Sequence, residues 1–300
     1  MTMHAFEESL SRFRGFDDPL GGVSEEYLPD PVGPNGLAIL TRPLGKQTGT
    51  GFVICRSPGP EQGPLQRLEA MIARTLGARG FPTIRIRRGF ALEGAGSELN
   101  LDESIAEAQD AVSALSACVE LDRVGTIGEL LGSATALVTA AHLELPLVVL
   151  VHPVTTGSAY VDGLYRRHLI SGVMTPSERI ARREPLGQQL ARGPVALRGV
   201  KLTPDGFEAL AATGLEPLAS AYDGAALIVG VSRDGEPDEA VRALGSSFRR
   251  PTVQVLQDPL RVPFGELHLR KARNRITEDV RIELDRRLAG LTADWAELAA

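Results

Sequence analysis

The chain has 300 residues, 43% of them hydrophobic and 23% charged, with a formal net charge of −6. That is ordinary for one large soluble α/β domain with an insertion. The negative balance excludes duplex nucleic acid as an expected partner, because binding it takes a dense field of Lys and Arg. Lysine occurs at only Lys46, Lys201 and Lys271, so the basic side is almost all arginine.

Two cysteines, Cys55 and Cys118, make neither a disulfide framework nor a zinc cluster. Both read as small buried hydrophobes. Met1 to Gly15 carries no apolar core of a signal peptide, and no apolar run approaches the ~20 residues of a membrane span. The expectation is a reduced, cytoplasmic protein with a small-molecule substrate, no membrane or nucleic-acid partner and no cofactor. Its oligomeric state is left open.

Residues 1–36 are polar and rich in Gly and Pro and read as an N-terminal arm. Leu37–Thr41 and Gly51–Cys55 read as strands, with the turn-rich Pro43–Thr50 suited to a hairpin between them. Pro64–Arg79 has apolar residues at helical spacing, stopped by Gly80. Pro82–Ile86 is a predicted strand, Gly89–Asn100 a Gly-rich loop, and Asp102 a predicted cap for a helix running to Cys118. Arg123–Ile127 reads as a strand and Leu130–Leu143 as an apolar helix. Leu145–Val151 is a continuous apolar run, as in a parallel strand buried on both faces.

Tyr160–Gly199 breaks this rhythm, being Arg-rich and irregular, and reads as a cap over the sheet. A short helix over Thr203–Thr213 follows, with Thr203 or Asp205 at its cap. Ala225–Val231 (strand), Pro237–Phe248 (helix), Thr252–Leu256 (strand) and Thr277–Leu288 (helix) complete the order. Alternation of this kind implies parallel βαβ units with functional residues at the carboxyl ends of the strands. The predicted organisation is an α/β core of 37–159 and 200–300, with 160–199 as the insertion.

The segment Gly128-Glu129-Leu130-Leu131-Gly132 lies between a strand and an Ala-rich helix. Its glycines have the spacing of a G-x-S-x-G nucleophile elbow, but the centre is Leu130. Other pieces follow in order: Cys55-Arg56-Ser57-Pro58-Gly59-Pro60-Glu61, then His152-Pro153-Val154-Thr155-Thr156-Gly157-Ser158-Ala159-Tyr160, then Gly199-Val200-Lys201-Leu202-Thr203-Pro204. Together they resemble the bacterial exosortase-system-associated hydrolases, related to the serine aminopeptidase type, over about Leu37 to Thr213. The resemblance implies an α/β-hydrolase fold: a mostly parallel sheet flanked by helices, with a helical cap. Function does not follow from fold.

Four residues are catalytic candidates. His152 ends the most apolar strand, and its pKa suits a general base. His268 follows the last strand, where this fold supplies a histidine. Asp234 follows the preceding strand, where the fold places an acid, although Asp also favours the turn Arg233-Asp234-Gly235. Glu129 adjoins the elbow apex and would exchange protons if an apolar pocket raised its pKa. Ser57 and Glu61, in the loop that lends an oxyanion-hole N–H, together with Leu130 and Tyr160, are candidates for contacting substrate. Ser133 lies one step into the helix. Ser232 is a near match to a nucleophile in Gly230-Val231-Ser232-Arg233-Asp234. The five histidines have no metal-ligand spacing, and Gly94–Leu99 and Gly45–Thr48 fail as nucleotide motifs.

Three functional classes stay open. Leucine cannot form an acyl-enzyme. The leading expectation is therefore a non-hydrolytic enzyme of the same fold using acid/base chemistry on a natural-product-like substrate. By analogy with hydrolase-fold lyases that tailor polyketides, acetate elimination from an O-acetylated tetronate is one version, with His152 or His268 as base. The alternatives are an esterase with its nucleophile relocated to Ser232, and a catalytically inactive pseudo-hydrolase.

Overall fold

The computed structural model describes residues 22–29, 36–88, 97–170, 185–258 and 275–299. Eleven strands occur among them: β1 (Val23–Pro29), β2 (Gly36–Pro43), β3 (Thr50–Cys55), β4 (Thr83–Arg88), β5 (Ser97–Glu98), β6 (Arg123–Glu129), β7 (Leu147–Val151), β8 (Val195–Leu197), β9 (Val200–Leu202), β10 (Ala225–Ser232) and β11 (Pro251–Gln257). The helices are α1 (Gln62–Ala78), α2 (Leu101–Cys118), α3 (Gly132–His142), α4 (Gly157–Ile170), α5 (Leu186–Leu190), α6 (Pro204–Ala212), α7 (Leu215–Ala221), α8 (Glu239–Ser247) and α9 (Arg275–Ala299).

Eight strands form one sheet in the order β1-β2-β4-β3-β6-β7-β10-β11, and β5-β9-β8 form a small second one. β1 and β2 run antiparallel to their neighbours, and β4, β3, β6, β7, β10 and β11 of the large sheet are mutually parallel. The central strands are apolar on both faces because each must fill two cores. Phe52 and Ile54 of β3 face one helical layer, and Val53 and Cys55 face the other. The same alternation splits Leu147, Val149 and Val151 from Val148 and Leu150 in β7. The first layer is α1 with α9; α2, α3 and α8 contribute to the second.

Three expectations change. β2 and β3 form no hairpin: β4 lies between them, pairing Ile39↔Arg85 and Val53↔Ile84. β3 is buried along its whole length, so it belongs at the sheet centre, and the helical crossover of α1 makes the parallel β3–β4 pair possible. Part of the expected arm, Val23–Pro29, is strand β1, clamped by Glu25 accepting from Arg85 at 2.6 Å and Arg74 at 2.9 Å. The cap of α2 is Asn100, whose side chain accepts the Glu103 N–H at 3.1 Å; Asp102 instead sits in the first turn. At α6 the cap is Thr203, accepting from the Gly206 N–H at 3.1 Å.

Between β7 and β10 the described chain carries α4 to α7 and β8–β9. α4 begins at Gly157, ahead of the expected insertion, and β9 pairs with β5. The last helix runs well past Leu288, because Ala289, Ala293, Trp295 and Ala296 remain buried in the α1 layer. Leu288 itself is fully buried there. Leu288→Ala is expected to lower stability by about 2–5 kcal/mol in a urea titration; an unchanged midpoint would show that α9 does not seal this core.

Candidate active site

The carboxyl ends of β3, β6, β7 and β10 define the site. At the tip of β6 the chain turns through Leu130 at φ +50°, a region that costs an L-residue about 1–2 kcal/mol. The turn is held by close backbone packing. A Cβ on Gly128 would overlap the Gly132 carbonyl, and one on Gly132 would lie 2.8 Å from the Cys55 carbonyl oxygen and 3.0 Å from the Ser57 nitrogen. The Leu130 N–H donates to Val151 O at 3.0 Å, and the Val154 N–H donates to Leu130 O at 3.2 Å. Ser133, fully buried, donates from Oγ to Gly128 O at 3.0 Å and so braces the turn from inside.

This backbone is a nucleophile elbow in shape. The Leu131 N–H follows the apex, and the Ser57 N–H comes from the loop after β3; these are the positions that build an oxyanion hole. Neither donates to an acceptor among the described residues. The Leu130 side chain is 7% exposed and joins the apolar cluster of the α1–α9 layer.

Ser57, Glu61 and Tyr160 come together as one buried network. Ser57 Oγ donates to Glu61 Oε1 at 2.7 Å, and the Tyr160 hydroxyl lies 2.9 and 3.0 Å from the two Glu61 oxygens. Burial pushes the Glu61 pKa up, against the lowering by Ser57, a backbone N–H, Tyr160 and the Arg167 charge. Burial and Glu61 likewise raise the Tyr160 phenol. The network ties α4 to the loop after β3. Beside it, Arg56 Nε and Glu107 Oε2 form a buried pair at 2.8 Å. Their 51-residue separation left no local motif to find.

His152 stands at the tip of β7 at φ +45°. Its N–H donates to Val229 O at 2.6 Å, and its Nδ1 accepts the Val231 N–H at 3.3 Å. Burial lowers its pKa, and the Asp238 charge opposes that. His152 is therefore adjacent to the apex, since residues 151–154 are clipped to Leu130 at both ends.

The other candidates lie elsewhere. Glu129 points among Glu69 of α1 and Asp285 of α9. It is fully buried, with neither carboxylate oxygen hydrogen-bonded. Burial and those like charges hold its pKa well up. Asp285 in turn binds Arg67 at 2.7 Å. Asp234 is fully exposed and accepts the Glu236 N–H and the Ser232 hydroxyl, both at 3.1 Å, which lowers its pKa. Ser232 Oγ also accepts the Gly235 N–H at 3.0 Å, so Ser232 and Asp234 close a turn. The Cys55 thiol is buried and its pKa pushed up by burial and by Glu129. His268 lies outside the described residues. Among the described residues no His/Cys/Asp/Glu group is placed to hold a metal ion, and no helix is long and apolar enough to cross a membrane.

No protein-family model and no curated protein matches this sequence. Solved structures do. Est1E from Butyrivibrio proteoclasticus is 15% identical with a TM-score of 0.53, over 92% of this chain and 98% of that one. Carboxyl esterase 2 from Tuber melanosporum is 14% identical with a TM-score of 0.53, over 97% of each chain. Proline iminopeptidase from Mycobacterium smegmatis is 12% identical with a TM-score of 0.51, over 91% of this chain and all of that one. The chain has the α/β-hydrolase fold. At these identities the likeness carries the fold alone.

The Glu129 environment has a measurable consequence. An acid whose pKa is raised in the folded state contributes stability that is complete below its unfolded value of about 4.3. That contribution is lost as pH rises through the folded pKa. Glu129→Gln removes the charge, so its melting temperature relative to wild type is expected to climb from pH 5 to pH 9. A pH-independent difference would contradict this placement of Glu129.

Proposed function

We propose that this chain is a pseudo-hydrolase: it binds a small ester- or carbonyl-bearing molecule at the elbow and does not form an acyl-enzyme there. The observation that carries the reading is Leu130 at φ +50° between two glycines that admit no Cβ. Strain of this kind persists where the surrounding structure over-determines it. The Leu131 and Ser57 N–H groups are suited to hold a carbonyl oxygen, but the apex has no oxygen or sulfur to attack the carbonyl carbon. The narrower likeness to exosortase-system-associated hydrolases, and residues 160–199 as the cover of the site, belong to the same proposal.

Relocated nucleophiles have less support. Ser232 is engaged in its own turn, next to an exposed acid. Ser133 and Ser57 are buried and bonded to Gly128 O and Glu61. The elimination reading, with acetate lost from an O-acetylated tetronate, needs a bare base beside the apex. Glu129 faces the α1–α9 layer, so that role would rest on His152 or His268. Solved structures sharing the fold include esterases, which favours descent from hydrolase chemistry over a lyase.

Loss of the nucleophile costs a serine hydrolase about 10⁶-fold in turnover. The purified protein is expected to release no nitrophenolate from 4-nitrophenyl butyrate above the buffer rate and to take up no fluorophosphonate. It is also expected to give saturation-transfer signals with phenyl butyrate that Leu130→Trp abolishes. Turnover, a mapped serine adduct or no phenyl butyrate signal would each overturn the proposal.

A further inference from the structure

We propose that β11 is a dimer edge: a second copy of this chain lays its own β11 antiparallel to it about a two-fold axis at Gln254, joining the two large sheets into one. The inference is independent of how the elbow is used.

A sheet edge is a row of open backbone donors and acceptors, and proteins blunt an uncovered one with charge, proline or a bulge. The two end strands of the large sheet differ in this respect. β1 carries Glu25 and Glu26 and closes on Pro29. β11 reads Pro-Thr-Val-Gln-Val-Leu-Gln, with no charge in it and its proline at the first position. Among the described residues its one strand neighbour is β10. At the two ends of that pairing the Ala226 N–H donates to Arg250 O at 3.0 Å and the Asp258 N–H to Ser232 O at 2.8 Å. The register runs from Ala226↔Pro251 to Ser232↔Gln257. Thr252, Gln254 and Leu256 therefore turn their backbone groups to β10, while Val253, Val255 and Gln257 turn theirs away, as does the Pro251 carbonyl. On that outward row Val253 is a large apolar side chain left 38% exposed.

Gln254 stands at the centre of the row. Antiparallel pairing about it sets Val253 opposite Val255 of the second copy, and Pro251 opposite Gln257 of the second copy. Each outward N–H then meets an outward carbonyl. The charges at the two ends fit the same arrangement. Exposed Arg249 and Arg250 lie just before Pro251, and Arg249 pairs with Asp223. At the other end the Gln257 side-chain amide donates to Arg233 O at 3.1 Å, which ties the strand to the turn after β10 and the start of α8. That region holds Asp234, Glu236, Asp238 and Glu239 against Arg233 and Arg242. Turning the second copy end for end brings the basic end of one edge to the acidic end of the other; a parallel alignment would set like charges together. A two-fold contact also closes on itself, so association stops at two.

Sedimentation velocity of the full-length protein at rising concentration reads the assembly directly. Wild type is expected to form a dimer, and Val253→Pro to stay a monomer with the circular dichroism of wild type. Proline at this position removes an outward donor and leaves the β10 ladder intact.

Gln254→Cys tests the register without touching the ladder. Its two thiols would face each other as a non-hydrogen-bonded antiparallel pair, with Cα atoms about 4.5 Å apart, within reach of a disulfide. Diamide is expected to oxidise the two thiols to one disulfide, itself being reduced to the hydrazine, and to yield a covalent dimer on a non-reducing gel. Wild type should give none under the same treatment. If Val253→Pro does not fold, the crosslink decides. A monomer at every concentration, an open-ended assembly, a dimer indifferent to Val253→Pro, or no crosslink in Gln254→Cys would each overturn the proposal.

Discussion

The close approach of Gly128 to Gly132, and of Gly132 to the end of β3, is the constraint on which the site depends. With no room for a Cβ at either glycine, the strand must turn into α3 within two residues, and the residue between has nowhere to go but positive φ. Leu130 accepts that conformation at a cost of about 1–2 kcal/mol. The surrounding hydrogen bonds keep it there: Ser133 to Gly128 O from inside, and residues 151–154 to Leu130 from outside. A simple connection between a strand and a helix would not need this geometry. Its persistence under an apolar side chain points to a use for the backbone rather than for the apex residue.

The polar groups around the turn follow from that. A serine hydrolase aims a nucleophile, a base and an acid at one point. Here Ser57 and Tyr160 are committed to Glu61, Ser232 and Asp234 to a turn, and His152 to Val231. The Leu131 and Ser57 N–H groups have no acceptor among the described residues, and the proposed function assigns them a ligand's carbonyl oxygen. Glu129 shows the same division from below: it is fully buried near Glu69 and Asp285, and burial together with those like charges holds its pKa well up.

Much of this was legible in the sequence, because the fold is written in local patterns. The apolar runs of β3 and β7 announce strands buried on two faces, and the two glycines of the elbow announce its geometry. The hairpin expected between β2 and β3 was wrong because adjacency along the chain says nothing about which strand a buried neighbour needs. The extent of α9 was underestimated because Ala289, Ala293 and Ala296 are weak markers alone and gain meaning only against α1. Ser57, Glu61 and Tyr160 were singled out separately as candidates for contacting substrate, but the bonding of Tyr160 to Glu61 spans about a hundred residues and left no local pattern to read. Which ring nitrogen of His152 meets the Val231 N–H is encoded by no residue pattern. Asp234 was read both as an acid, from its place in the fold, and as a turn residue, and the hydrogen bonds described for it are those of the turn.

The proposed function depends on the strained turn at Leu130, and a comparison of Leu130→Gly with Leu130→Ala tests that turn most directly. Both variants remove the leucine side chain beyond Cβ, so their difference in unfolding free energy reports the backbone. At positive φ glycine escapes the penalty that alanine bears, and Leu130→Gly should be the more stable of the two by about 1 kcal/mol. If Leu130→Ala is the more stable, the apex is in an ordinary conformation and the retained elbow does not exist.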